Sequence, residues 1–191
     1  MAIERLRATV AALTALIERH GNTEAAMLTD ARGLLSDLVA TDDWLPDAFA
    51  RSDARSYRQY LLYGDPLDRF SLVSFVWGPG QRTPVHDHLV WGLVGMLRGE
   101  EEATPFTRTK EGRLVPGAAA RLSPGMIECV SPTLGDIHQV GNALADRSSI
   151  SIHLYGGNIG TIRRNAYDPE SGEPRSFVSG YSADVAPNLW A

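Results

Sequence analysis

The apolar residues of the first forty positions recur at helical spacing. Ile3, Leu6, Val10, Leu13, Leu16 and Ile17 share one helix face, and Gly21 provides a stop after them. A second helix is expected from a Thr23 cap through Met27, Leu28, Ala31, Leu34, Leu35 and Leu38. His20, in the last turn of the first helix where positive charge is favoured, reads as a surface residue without chemistry. Asp42 to Asp53 is polar and proline-interrupted, a loop or one broken helical turn. Arg55 to Tyr63 is rich in aromatics with polar residues embedded, and reads as a strand or helix half-buried against the core.

From Phe70 the pattern changes to short β-prone runs bounded by glycine, proline or charged turns. The runs are Phe70 to Trp77, His86 to Leu97, Ala103 to Thr109, Arg113 to Val115, Met126 to Ser131, Ile137 to Val140, Ser148 to Tyr155 and Thr161 to Asn165. Strands so spaced predict a mainly β sandwich or barrel rather than a βαβ fold. No linker or low-complexity tract separates them from the helical start. One domain over 1–191 is expected: helices at 1–40 packed on a barrel, a β-barrel core at 70–165, and an irregular tail at 166–191 anchored by Phe177, Tyr181 and Trp190.

Composition narrows the function classes. The 191 residues are 43% hydrophobic and 21% charged, as expected of a globular chain. A formal net charge of -5 argues against a nucleic-acid surface, and no apolar run approaches the ~20 residues that span a bilayer. Residues 1–15 lack a signal-peptide pattern, and the single cysteine, Cys129, permits no intrachain disulfide. A cytoplasmic protein is therefore expected. The pattern says nothing of oligomeric state.

Four of the five histidines lie in the β region. In Thr83-Pro84-Val85-His86-Asp87-His88-Leu89-Val90-Trp91-Gly92, strand geometry would project His86 and His88 to one face and Asp87 to the other. Two such imidazoles can share a metal ion. A lone His138, in Gly135 to Asn142, would be an ordinary strand or turn residue. Beside the His-x-His pair it becomes a candidate third ligand of a facial site with open positions. In Ser151-Ile152-His153-Leu154-Tyr155 the polar residues alternate with apolar ones. That pattern fits a solvent-exposed antiparallel strand, or a hydrogen-bond relay in which Ser151 orients His153 and His153 orients Tyr155.

These residues resemble the cupin superfamily, a double-stranded β-helix or jelly-roll barrel, and within it the thiol dioxygenases, which include cysteine dioxygenase and 3-mercaptopropionate dioxygenase. The resemblance covers roughly Gln59 to Asn165. The first cupin motif stands as Gly80-x5-His86-x-His88-x3-Gly92-x6-Gly99, with Gly92 where most cupins carry a metal-binding glutamate. The second stands as Gly135-x2-His138-x3-Asn142; upstream of it Pro132 is one position early and Gly125 is displaced. The resemblance implies Fe(II) on His86, His88 and His138, and the Ser151, His153 and Tyr155 triad beside it. The activity implied is the addition of both atoms of O2 to the sulfur of a small carboxylate thiol, giving a sulfinic acid.

Mammalian cysteine dioxygenases carry at the Gly92 position a cysteine that cross-links to the tyrosine, so Tyr155 is expected to stay uncross-linked here. Spacing from the triad resembles that of the 3-mercaptopropionate enzymes and picks Arg164 as the carboxylate binder, since its planar fork suits a carboxylate. Gln59 stands where those enzymes have glutamine and cysteine dioxygenases have arginine, and Arg58 is one residue away. The substrate implied is 3-mercaptopropionate, with L-cysteine as runner-up. Two other readings remain open. One is a three-histidine zinc site activating water for hydrolysis, and the other is a non-enzymatic cupin that binds or senses a small ligand.

Overall fold

In the computed structural model, which describes residues 2–190, the helical stripe of the first forty residues forms α1 (Ala2–His20) and α2 (Glu24–Val39). Gly21 and Asn22, at φ +60° and +61°, turn the chain between them. Thr23 occupies the N-cap position, yet its hydroxyl donates backward to the His20 carbonyl at 2.7 Å and caps no first-turn N–H. The Asp42 to Asp53 segment contains a single 3-10 turn, Asp47–Phe49.

Twelve strands follow: β1 (Arg58–Gly64), β2 (Ser71–Trp77), β3 (Val85–His86), β4 (Gly92–Arg98), β5 (Glu101–Arg108), β6 (Leu114–Pro116), β7 (Ala120–Leu122), β8 (Ile127–Val130), β9 (His138–Asn142), β10 (Ser149–Tyr155), β11 (Arg164–Tyr167) and β12 (Pro174–Phe177). One antiparallel sheet has the order β1-β2-β10-β4-β8. The other has the order β12-β11-β3-β9-β5-β6, with β7 also on β5. Between β2 and β5, and again between β7 and β11, the chain passes from one sheet to the other with each successive strand. This back-and-forth winding is the jelly-roll, or double-stranded β-helix, of a cupin barrel.

Strand alternation divides the apolar residues between two cores. Leu72, Val76, Leu93, Leu97, Ile150, Ile152 and Leu154 leave the first sheet outward and meet Leu6, Leu13, Met27, Leu35 and Leu38 of the helices. Val73, Phe75, Trp77, Val94, Met96 and Tyr155 point inward, against Ala103, Leu122 and Val140 of the facing sheet. Because helices cover the first sheet, β10 is buried along its whole length. Its polar face therefore lies inside the barrel, which removes the solvent-exposed strand reading of Ser151, His153 and Tyr155.

Two glycines of β4 are there for close approach. A Cβ at Gly95 would meet Ile127, Val39 and Leu35 side-chain atoms at 2.9–3.1 Å, so the bare backbone lets α2 settle on the sheet. A Cβ at Gly92, on the inner face, would lie 2.8 Å from the Tyr155 ring and 2.9 Å from Val130. Gly92→Val is expected to displace the Tyr155 ring and to cost about 1–3 kcal/mol by overpacking, measured as a lowered urea midpoint at unchanged m-value.

Three features depart from the sequence pattern. The run His86 to Leu97 is two strands in different sheets, broken over residues 87–91 where Leu89 takes φ +61°. The tail at 166–191 is not wholly irregular, since β12 pairs with β11 in register Arg164↔Phe177 to Tyr167↔Pro174. Trp190 anchors nothing: it is 83% exposed, and Leu189 beside it is the buried residue.

Candidate metal centre

His86 is the last residue of β3 and pairs directly with His138, the first of β9. His88 lies beyond the strand, so strand periodicity is not what aligns it with His86. Its position comes from Asp136. The Asp136 carboxylate accepts the backbone N–H of His88 at 3.0 and 3.1 Å and of Leu89 at 2.9 Å, replacing the missing ladder bonds and holding the bend. The same carboxylate meets His88 Nδ1 at 2.9 Å.

All three imidazoles are buried, their ring centroids stand 4.8–4.9 Å apart, and their candidate ligand atoms lie within 4.8 Å of one another. Among the described residues this is the one such cluster of metal-ligating side chains. His86 Nδ1 is 3.0 Å from the Pro84 carbonyl, which makes Nδ1 the protonated nitrogen and leaves Nε2 bare. His88 Nε2 is buried with no hydrogen-bond partner. A buried imidazole nitrogen left bare, with its ring oriented from the other nitrogen by a carboxylate, is the arrangement of a metal ligand.

Protonation states agree with that arrangement. Burial, reinforced by the neighbouring His88, drops the His86 pKa to about 3. Burial and repulsion from His88 and His86 likewise hold His138 well below the ordinary value. At Asp136 burial opposes ionisation, but the hydrogen bonds from the His88 side chain and from the His88 and Leu89 N–H groups outweigh it. Its pKa is lowered and the carboxylate stays charged. Neutral imidazoles and N/O chemistry suit a borderline divalent metal such as iron or zinc. Asp136→Asn is expected to weaken metal affinity about 10–100-fold, read as a shifted midpoint in a competitive chelator titration.

The other side of His88 faces the triad: the Tyr155 ring stacks on it at 5.4 Å. His153 Nδ1 lies 2.8 Å from Tyr155 Oη, and Ser151 Oγ lies 2.8 Å from His153 Nε2. Phe75 stacks on the His153 ring at 4.1 Å and keeps water from it. Burial pushes the Tyr155 phenol well above its ordinary value, and burial with repulsion from His88 and His86 keeps His153 neutral. The triad is a hydrogen-bonded chain of neutral groups ending at the cavity.

That cavity, about 150 Å³, is bounded by His86, Tyr155, Arg164, Gln59, Tyr57 and Phe177, among others. Arg164 is 4% exposed. Its Nη1 donates to the Ile159 carbonyl at 2.7 Å and Nη2 to Ser179 Oγ at 3.1 Å, and its guanidinium lies 4.6 Å over the Phe177 ring. Nε is buried without a partner, and burial lowers the Arg164 pKa. The Gln59 amide nitrogen donates to Ser179 Oγ at 3.0 Å and the Gly180 carbonyl at 2.9 Å. Arg58, next along β1, points to the opposite side and pairs with Asp53, outside the cavity. Asp87 points away from the imidazoles and receives Asn165 N–H at 2.7 Å and Tyr167 Oη at 2.7 Å, fastening the ligand loop to the strand that carries Arg164.

Several contributors were not apparent from sequence. Asp136 sits inside the second histidine motif, and its spacing was the available signal. Ser179 and Phe177 come from the tail, where no periodicity marked them. Cys129, on β8, packs toward the helices with the outer core, away from Tyr155.

A jelly-roll barrel holding three buried histidines beside a Ser-His-Tyr chain defines a cupin with a candidate metal centre. The family of cysteine dioxygenase type I matches residues 8–169, and the chain belongs to that family. It is 26% identical over 117 residues to cysteine dioxygenase type 1 of Danio rerio, covering 59% of this chain and 56% of that protein. The chain thus spans little more than half the length of that curated relative. Among solved structures it is similar to a conserved protein with a double-stranded β-helix domain from Klebsiella pneumoniae (19% identity, TM-score 0.47, covering 59% of this chain and 87% of that one). It is also similar to a cupin superfamily protein from Desulfitobacterium hafniense (16% identity, TM-score 0.43, covering 65% and 88%). No helix among the described residues is long and apolar enough to cross a membrane.

Proposed function

We propose that the chain is an iron-dependent thiol dioxygenase that converts a small carboxylate thiol, 3-mercaptopropionate, to its sulfinic acid. The observation that carries the reading is the placement of a buried arginine in the cavity that His86 and Tyr155 also line. Ferrous iron would be held by His86, His88 and His138, and would supply the activation of dioxygen, both atoms of which would go to the thiol sulfur. Three neutral ligands leave the metal's charge uncancelled, which favours an anionic substrate sulfur.

Arg164 takes the far carboxylate through a charge-assisted hydrogen bond, its Nε being uncommitted, and so orients the thiol. Gln59 and Ser179 hold the guanidinium's surroundings in place. Tyr155 donates its phenolic hydrogen into the cavity, with His153 and Ser151 setting its direction. Phe75, Tyr57 and Phe177 keep the reacting end dry. Family membership alone favours L-cysteine as a second reading. Against it, no carboxylate among the described residues lines the cavity to receive an ammonium group.

Oxygen uptake by the iron-loaded chain with 3-mercaptopropionate, L-cysteine and cysteamine separates these readings. The expected order of kcat/KM is 3-mercaptopropionate, then cysteine, then cysteamine. A preference for cysteine overturns the assignment of Gln59, and a preference for cysteamine overturns that of Arg164.

A further inference from the structure

One buried acid stands at the far end of the triad. Glu101 opens β5 and is 1% exposed, pointing into the barrel with Ala103 while Glu102 between them faces out. It sits on the sheet opposite Ser151 and Trp77. Neither of its carboxyl oxygens has a formed hydrogen bond. Of the groups near it, the Ser151 hydroxyl and the Trp77 indole favour its ionised form. These two are engaged with each other, Trp77 Nε1 donating to Ser151 Oγ at a long 3.3 Å. Burial outweighs both and raises the Glu101 pKa to about 8.

The other groups around it offer no counter-charge. Glu128 on β8 adds repulsion, as would an ionised Tyr155 on β10. Leu122 of β7 and Asn142 of β9 flank it in the ladder. The nearby cation Arg121 pairs with Glu100 at 2.9 Å.

We propose that Glu101 is a positioning residue that sets the direction of the Ser151-His153-Tyr155 hydrogen-bond chain, and with it whether Tyr155 can donate into the cavity. His153 is neutral, so only one ring nitrogen carries a proton. In the proposed arrangement the Glu101 carboxyl closes on Ser151, and as the acid its O–H donates to Ser151 Oγ. Ser151 then donates to His153 Nε2, His153 Nδ1–H donates to Tyr155 Oη, and the Tyr155 hydrogen is free to point at substrate. When Glu101 loses its proton to solvent, its carboxylate takes the Ser151 hydrogen. Ser151 Oγ must then accept from His153 Nε2–H, Nδ1 becomes the acceptor, and Tyr155 spends its hydrogen on His153. One proton leaves the protein, and the others move along existing hydrogen bonds.

The orientation of the chain is independent of the metal, so it is tested on metal-free protein, apart from the proposed activity. In 15N-histidine-labelled chain, with His153 assigned by the His153→Gln variant, the protonated ring nitrogen is expected to be Nδ1 at about pH 6 and Nε2 at about pH 10, the change centring near the raised acid value. In Glu101→Gln the amide N–H donates to Ser151 at every pH, and Nδ1 is expected to stay protonated throughout. In Ser151→Ala the link is cut and the pH-dependent exchange is expected to vanish. A His153 tautomer in the native chain that is the same at both ends of the range overturns the proposal, even if Glu101→Gln fails to fold. So does an exchange that persists in either Glu101→Gln or Ser151→Ala. On the iron-loaded enzyme, the alkaline limb of kcat/KM for 3-mercaptopropionate is expected to move to higher pH in Glu101→Gln. An unchanged limb also counts against the inference.

Discussion

Replacing His138 with alanine is expected to strip the chain of iron. The loss should exceed the roughly 10–100-fold that removing an outer hydrogen-bonding partner costs, because a ligand is lost and a buried void takes its place. His138 faces His86 across the β3–β9 pair, so the variant leaves only the imidazoles at the end of β3 and just beyond it, and no facial site. His86→Ala and His88→Ala should behave alike. Iron per chain, measured by elemental analysis after anaerobic reconstitution, checks this, with near-UV circular dichroism showing that the barrel is intact. Native iron loading in all three variants would contradict the ligand set.

Arg164→Met is the second substitution of large expected effect. Removing one partner of a buried charge-assisted contact costs about 2–5 kcal/mol, or roughly 30- to 5,000-fold in kcat/KM. Some of that comes from structure, since the Ile159 carbonyl and Ser179 hydroxyl lose their donor. Cysteamine separates the two contributions. It has no carboxylate, so its kcat/KM should fall only by the structural part, whereas that for 3-mercaptopropionate should fall by the whole. Equal losses for the two thiols would mean that Arg164 holds the fold and not the substrate.

The helices and most strands were legible because alternation and helical spacing are strong where an element is long and one face is buried. The clustering of the three histidines was legible too, though not for the reason strand geometry offers. His86 and His88 converge because Asp136 bends the chain between two sheets, and a carboxylate 48 residues away leaves no periodic trace. The polar face of β10 could be read equally as solvent-facing or inward. Only the helices covering the first sheet decide between them, and no local pattern encodes that cover.

The choice between Arg58 and Gln59 had the same character. One residue of register moves a side chain to the other face, and the pairing of Gln59 with Phe75 puts the glutamine inside. The tail was the least legible part. β12 is four residues long, and Ser179 matters only because the tail folds back over β1 and β11. Glu101 is the middle one of three consecutive glutamates, Glu100 to Glu102, and only its place on β5 sets it apart by turning it inward.

In the proposed reaction both atoms of dioxygen reach the sulfur of a carboxylate thiol at the three-histidine site. Turnover of 3-mercaptopropionate by the iron-loaded chain under 18O2, followed by mass spectrometry of the product, tests it directly. The expected product is a sulfinate carrying two labelled oxygens. A disulfide product, or a product whose oxygen comes from water, would contradict it.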